Sequence, residues 1–138
     1  YVMPGLRKAG IRLEGVVVDN PYEYLVGEHQ TVDWEDTGAD LKGIDWTARV
    51  LELEQMTHAD GMQFALIINS LQGGLEGGAL FTGQTLRMLD LYRGRGGNAD
   101  IYEVESWWEH PSEYLPESDI TSMTGAAKAV IDRLRQGE

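Results

Sequence analysis

Apolar and polar residues alternate along much of the chain, and this pattern predicts a domain built mainly from β-strands. Residues 11–18 (IRLEGVVV) are rich in β-branched side chains and predict a first strand, which Pro21 ends because proline has no backbone N–H to donate. A second strand is predicted near residues 24–26 or 30–34. Residues 41–53 predict another strand, in which alternate apolar side chains share one face. These side chains are Ile44, Trp46, Ala48 and Val50.

Two more strands are predicted in the C-terminal half of the chain. Residues 79–92 and 100–108 have the composition of antiparallel partners. The glycine-rich sequence RGRGGN between them indicates a flexible connection.

The segment of residues 59–71 allows two interpretations. Asp60-Gly61 is a strong hairpin-turn signal, which would join strands on either side of it. Thr57 as an N-cap and Gly73-Gly74 as a stop signal would instead make this segment a helix. The apolar run FALIIN fits both structures, and we favour the helix because both of its ends carry suitable residues.

The last predicted element is an amphipathic helix near the C-terminus, where apolar side chains recur at helical spacing. These side chains are Met123, Ala126, Ala127, Val130, Ile131 and Leu134. The predicted fold class is therefore α+β: a mainly antiparallel, sandwich-like or barrel-like sheet with a C-terminal helix and, under the favoured interpretation, a central one.

Length and composition indicate one domain, since 138 residues fall within the usual size range. Residues 1–10 are predicted to be a flexible arm, because Pro4 and Gly5 interrupt regular structure, and residues 11–138 the domain. The absence of cysteine excludes disulfides and thiolate metal sites. No apolar run reaches the roughly 18–20 residues that span a bilayer, and the N-terminus lacks a signal-peptide layout. We therefore expect a soluble protein of the cytoplasm or of a virion.

The chain carries a formal charge of −12, from 23 acidic and 11 basic residues. Such a surface repels phosphate backbones and anionic lipids, so direct contact with nucleic acid or a membrane is not expected. Acidic residues are dense between Glu23 and Asp60, whereas residues 87–95 contain three arginines and one aspartate. This polarity suits head-to-tail assembly, although a solvated acidic face explains it equally well.

Motifs for catalysis and metal binding are absent from the sequence. The histidines lack zinc-binding spacing, residues 33–40 lack the spacing of a calcium loop, and no serine lies in a Gly-x-Ser-x-Gly motif. No catalytic residue, cofactor or metal is therefore predicted. If the protein is an enzyme, its acid–base candidates are the pairs near predicted turns. These residues are His58, Asp60, Glu109 and His110.

Large aromatic side chains and two arginines form the predicted interface. Trp107 and Trp108 are adjacent, so in a strand their rings would point to opposite faces, and one would need cover from outside the core. Aromatic residues and arginine are enriched at protein interfaces, whereas cover by the C-terminal helix is the alternative. The predicted interface residues are Trp107, Trp108, Tyr22, Tyr24, Trp34, Arg93 and Arg95.

The N-terminal half resembles small β-rich tail and baseplate proteins of tailed phages and related contractile particles. The resemblance lies in the order of the predicted elements between Gly15 and Tyr92, without a diagnostic motif. The segments that carry it are GVVVDNP, YEYLVGEHQTVDW, GADLKGIDWTARV and HADGMQFALIINSLQGG. It implies symmetric assembly with neighbouring subunits and brings no catalytic residues.

These observations lead to three hypotheses about function. The first is a non-catalytic structural subunit of a viral tail, baseplate or similar particle, which binds copies of itself or neighbouring subunits. The second is an acidic inhibitor, such as an immunity-type protein, that binds a basic toxin or nuclease. The third, a small enzyme that uses a His–carboxylate pair, has the least support in the sequence.

Overall fold

The computed structural model describes residues 2–27 and 43–136, which form an open, three-stranded parallel sheet packed against helices. In chain order the elements are α1 (Val2–Lys8), β1 (Gly15–Asp19), α2 (Tyr22–Leu25), α3 (Trp46–Ala59), β2 (Gln63–Ile68), α4 (Leu71–Glu76), α5 (Gly78–Gly94), β3 (Ile101–Val104) and α6 (Met123–Gln136).

The strand order is β1-β2-β3, and both outer strands run parallel to β2. The chain passes from β1 to β2 through α3 and from β2 to β3 through α5, moving in the same direction across the sheet. Because such crossovers are almost always right-handed, both connecting helices lie on the same face. All three strands therefore end at one edge, called here the carboxyl edge.

The core lies between this helical layer and one face of the sheet. Phe64, Leu66 and Ile68 of β2 are fully buried and belong to a cluster with apolar side chains of four helices. The helical members are Leu25, Val50, Met88, Leu89, Tyr92 and Val130.

The other face of the sheet leaves apolar side chains accessible on its outer strands. Val17 pairs with Ala65, and Ala65 pairs with Ile101, so these three side chains share the face opposite to Phe64 and Leu66. Val17 and Ile101 are 58% and 42% exposed, whereas Ala65 between them is buried. Parallel sheets are normally covered on both faces, so this face differs from the usual arrangement.

The prediction of a mainly antiparallel, sandwich-like or barrel-like sheet is wrong, because the described strands are all parallel and the sheet is open. Residues 41–53 and 79–92, which were predicted as strands, contain helical segments of α3 and α5 instead. The antiparallel pairing of residues 79–92 with 100–108 is wrong for the same reason.

The inner face of α3 explains why its helical period is hard to recognise. Its buried residues are Thr47, Val50, Glu54 and Thr57, which follow helical spacing although three of them are polar. Each polar side chain has a hydrogen-bond partner, so burial costs little. The Asp45 side chain caps this helix by accepting a hydrogen bond of 2.9 Å from the Ala48 backbone N–H.

The favoured helix at residues 59–71 is also wrong, because Gln63–Ile68 is the central strand β2. Five of its six side chains are buried on both faces of the sheet, which produces a continuous apolar run instead of an alternation. The helix that follows, α4, begins only at Leu71.

Three elements are confirmed in type: β1 overlaps the first predicted strand, β3 lies within the strand predicted at residues 100–108, and α6 covers the predicted C-terminal helix. The strand predicted near residues 24–26 is wrong, because Tyr22–Leu25 is helix α2. Helix α1 covers most of the residues that were predicted as an arm. The alternative strand at residues 30–34, the acidic loop at residues 33–40 and Trp34 lie outside the described residues.

A buried polar network joins α3, α5 and the connection to β3. The Glu54 carboxylate is 5% exposed and accepts hydrogen bonds from the Tyr92 hydroxyl at 2.6 Å and the Asn98 backbone N–H at 2.8 Å. Burial, together with the neighbouring Glu54 carboxylate, raises the pKa of Tyr92 far above its ordinary value. Tyr92 therefore remains a hydrogen-bond donor at all physiological pH values.

Candidate interaction surface

The carboxyl edge gathers polar residues from separate parts of the chain. Asp19 is the last residue of β1, Asn69 follows β2 directly, and Trp107 lies three residues beyond β3. In an open α/β sheet, ligands bind outside the carboxyl ends of the strands. This edge is therefore a candidate position for a functional site.

Asp19 connects the three strand ends through hydrogen bonds. Its Oδ1 accepts from Asn69 Nδ2 at 3.0 Å, and its Oδ2 accepts from the Trp107 indole Nε1 at 3.1 Å. Asn69 is fully buried, and its Oδ1 has no hydrogen-bond partner. The Asp19 carboxylate is exposed, so its orientation is fixed while it stays accessible to solvent.

Glu23 stabilises the loop beside this edge. Its carboxylate is 5% exposed and accepts hydrogen bonds from the Ser70 hydroxyl at 2.8 Å and from the backbone N–H groups of Leu71 and Gln72 at 2.9 and 3.0 Å. The donors at the start of α4 are thus satisfied by a carboxylate of the chain itself. These hydrogen bonds hold α2 against the start of α4, next to the carboxyl edge.

The connection between β3 and α6 forms the most exposed apolar surface of the described chain. We call residues 105–122 the acidic arm, because it contains five acidic residues and no lysine or arginine. Its exposed large side chains are Trp107 (62%), Tyr114 (77%), Leu115 (70%) and Ile120 (53%). Single exposed apolar residues are common, but four within eighteen residues beside fixed carboxylates are typical of a contact surface.

Hydrogen bonds tie the acidic arm to three helices. The backbone N–H of His110 donates to the Gly74 carbonyl in α4 at 2.9 Å, and the Thr82 hydroxyl of α5 donates to the Ile120 carbonyl at 2.7 Å. At the start of α6, the backbone N–H of Thr124 donates to the Tyr114 carbonyl at 3.1 Å. The arm is therefore held in one conformation although most of its side chains are exposed.

Close backbone approaches fix the base of the arm. A Cβ atom on Gly125 would lie 1.8 Å from the Asp119 carbonyl oxygen, so only glycine fits there. Within the arm, the Thr121 N–H and hydroxyl both donate to Asp119 and lower the pKa of this carboxyl. Asp119 consequently remains ionised well below neutral pH.

The predicted aromatic interface residues fall in different environments. Trp107 lies exposed on the arm, whereas Trp108 is partly buried beside Gly74, where an added Cβ would be 2.8 Å from its ring. Tyr22 and Tyr24 lie on α2 and are partly buried. Four further residues of this candidate surface were not among the predicted interface residues: Asp19, Tyr114, Leu115 and Ile120.

The two predicted arginines lie at the end of α5 and beyond it. Arg93 is partly buried in α5, and Arg95 forms a two-point ion pair with Asp45, in which both Nη···Oδ distances are 2.7 Å. This pair connects the end of α5 to the start of α3. Arg95 therefore has a partner within the chain.

The Asp45–Arg95 pair predicts a specific pH dependence. The hydrogen bonds from Arg95 and from the Ala48 N–H lower the pKa of Asp45 to about 2. A depressed folded-state pKa stabilises the fold above the ordinary value near 3.8, and this contribution is lost as the pH falls toward 2. We expect the Asp45 carboxyl carbon signal to titrate near pH 2 in NMR and the midpoint to rise in Arg95→Gln. A wild-type midpoint near the ordinary value would contradict the ion pair.

Among the candidate acid–base residues, His58 pairs with Asp100, a residue that the sequence did not single out. His58 Nε2 lies 2.9 Å from an Asp100 carboxylate oxygen, and the same oxygen accepts the Phe64 backbone N–H at 2.8 Å. That N–H and the His58 ring together lower the pKa of Asp100. Glu109 is exposed on the acidic arm, and His110 is partly buried there. Across residues 2–27 and 43–136, no group of three or more histidine or acidic side chains is arranged to hold a metal ion.

Comparison with protein-family models, with curated proteins and with solved structures finds no match for this chain. In the described part of the chain, none of the helices combines the length and apolar character needed to cross a membrane.

Proposed function

We propose that this protein is a non-catalytic binding domain whose acidic arm engages a basic protein partner. The observation that carries this proposal is the composition of residues 105–122 together with their well-defined conformation. Four large apolar side chains are more than half exposed there, among five carboxylates and no lysine or arginine. An apolar surface with acidic neighbours complements a partner that presents apolar residues beside lysine or arginine.

The fixed conformation of the arm supports binding with useful affinity. A flexible segment would lose conformational entropy on association, whereas an arm tied to α4, α5 and α6 has already lost it on folding. The exposed Tyr and Trp side chains are also the residue types that contribute most to binding energy at interfaces. These properties favour recognition over plain solubility.

Charge favours a different chain over a second copy as the partner. Two copies that met through their acidic arms would bring like charges together, which costs binding energy. A basic protein would instead be attracted, with association that slows as salt is added. In its specific form, the proposal is that this protein inhibits a basic protein by binding it in the cytoplasm.

A structural role in a virion or similar particle is the second proposal. It is supported by the exposed Val17 and Ile101 on the sheet face opposite to the core, since a neighbouring subunit would cover them. The resemblance to tail and baseplate proteins stays a prediction. A basic neighbouring subunit in a particle would meet the same acidic arm.

The proposal can be tested by selecting ligands from a displayed library of random peptides. We expect the wild-type protein to enrich peptides that combine arginine or lysine with apolar residues. Their binding should weaken as salt rises from 50 to 500 mM, because the Debye length falls about threefold over that range. Enrichment of neutral or acidic peptides, or no enrichment at all, would contradict the proposal. An Ile120→Ser variant provides a parallel selection in which enrichment of the same peptides should decrease.

A further inference from the structure

We propose that the Asp19–Trp107 pair at the carboxyl edge is the position that receives an arginine side chain of the partner. This inference rests on the proposed function, because it names the contact that anchors a basic polypeptide. It goes beyond that proposal by naming one contact, in which Trp107 of the acidic arm meets Asp19 and Asn69 at the strand ends.

The Asp19 carboxylate is oriented but not saturated. Each oxygen accepts one hydrogen bond, from Asn69 Nδ2 and from Trp107 Nε1. A carboxylate offers about four lone-pair sites, so two remain for an external donor. Within residues 2–27 and 43–136, no lysine or arginine forms an ion pair with Asp19.

Trp107 supplies an aromatic surface directly beside this carboxylate. Its indole N–H is held by Asp19, while the side chain remains 62% exposed. Arginine combines a planar cation that stacks on an indole ring with paired N–H donors that match a carboxylate. Lysine has a compact ammonium group and can use only one of these two features well.

Asn69 provides the independent indication that this is a binding site. Its side chain is fully buried, and its Oδ1 lacks a hydrogen-bond partner, although an unsatisfied buried acceptor is costly. The other end of the same amide orients Asp19. A buried amide that carries this cost while it orients an exposed carboxylate is explained better by function than by stability.

The surroundings also favour a cation. Asp19 pairs with Ile67 in the sheet register, and Ile67 pairs with Glu103, so two exposed acidic residues flank the end of the central strand. Strands are about 4.8 Å apart, which places these two positions roughly 10 Å from each other on one face. A positively charged side chain would meet attraction from both.

NMR titration of the full chain with N-acetylarginine methylamide tests this inference. The sequence contains four tryptophans, so Trp107→Phe identifies the Trp107 indole N–H signal by its absence. We expect this signal to shift saturably with the arginine compound and not with the neutral isostere N-acetylcitrulline methylamide. Asp19→Asn should weaken the interaction at least about tenfold, which corresponds to about 1.4 kcal/mol.

The control variant is Glu52→Gln, which removes an exposed charge from α3, outside the acidic arm, and should leave the titration unchanged. Unshifted remaining indole signals in Asp19→Asn would show that the variant is folded. The inference would be overturned if the Trp107 indole signal did not shift with the arginine compound. It would also be overturned if the signal shifted equally with N-acetylcitrulline methylamide or with N-acetyllysine methylamide.

Failure of this inference and failure of the proposed function give different results. If basic peptides are selected but bind Asp19→Asn as tightly as wild type, the arginine position is wrong and the function stands. If the arginine compound shifts Trp107 but no basic peptide is enriched, the proposed function is wrong and the arginine position stands.

Discussion

Replacing Tyr114 and Leu115 together by serine is expected to weaken binding of the selected basic peptides about 100-fold, or by about 2.8 kcal/mol. These are the two most exposed large apolar side chains in the described chain, at 77% and 70%. Central aromatic and aliphatic residues of an interface each contribute about 1–4 kcal/mol when truncated. Because neither side chain is buried in the fold, stability should change by less than about 0.5 kcal/mol per site. Fluorescence anisotropy with a labelled peptide measures the affinity.

Met56→Ser is the matched control for this double variant. Met56 is 62% exposed on α3, so its replacement removes a comparable apolar surface outside the arm. We expect unchanged peptide affinity. If Met56→Ser weakens binding as much as the double variant, the peptides bind exposed apolar surface without preference for the acidic arm.

Replacing Glu54 by alanine is expected to lower the free energy of unfolding by about 3–4 kcal/mol, because one buried and one partly buried donor lose their acceptor at about 1–3 kcal/mol each. These donors are the Tyr92 hydroxyl and the Asn98 backbone N–H. Loss of buried side-chain volume adds to this cost. Urea unfolding followed by circular dichroism measures the change, and the slope with urea concentration should stay constant.

Glu52→Ala on the same helix provides the control. Glu52 is exposed and pairs with Arg49 at 2.7 Å, and such surface pairs contribute at most about 1 kcal/mol. A loss below about 1 kcal/mol in Glu54→Ala would mean that the buried network does not connect α3 to α5 as described.

How much of the fold can be predicted depends on what the inner face of each element contains. Helix α6 is predictable because Ala126 and Val130 lie on its buried side within an apolar stripe. Helix α5 is not, because Thr82, Gln84 and Thr85 are buried among its apolar residues and disguise the helical period. Hydrophobic patterns cannot identify a buried face on which hydrogen-bonded polar groups replace apolar ones.

Strand direction is a second property that the pattern leaves open. The apolar run of β2 is typical of a central strand in a parallel sheet, but it fits a buried helix equally well. Recognising α3 and α4, the helices before and after this run, would identify it as a strand of a parallel sheet. The apolar residues of α3, however, recur with a period of two, which is typical of a strand. Once α3 is taken for a strand, an antiparallel sheet follows.

Part of the candidate surface could be found from the sequence. The adjacent tryptophans predict that one of them lies outside the core, but the sequence does not show that it is Trp107. Tyr114 and Leu115 lie between Pro111 and Pro116 among acidic residues, and large apolar side chains in such an irregular segment are a usable signal. The link between Asp19, Asn69 and Trp107 could not be found, because it depends on which strands are parallel and adjacent.

The most direct test of the account is an NMR titration with an amphipathic helical peptide that has leucine on one face and arginine on the other. The account predicts that shifted backbone amide signals cluster in residues 105–122 and around Asp19, while those near Met56 on α3 stay in place. The same peptide with glutamate in place of arginine should produce no shifts. Shifts spread evenly over the acidic surface, or equal shifts with the glutamate peptide, would contradict recognition of a basic partner by the acidic arm.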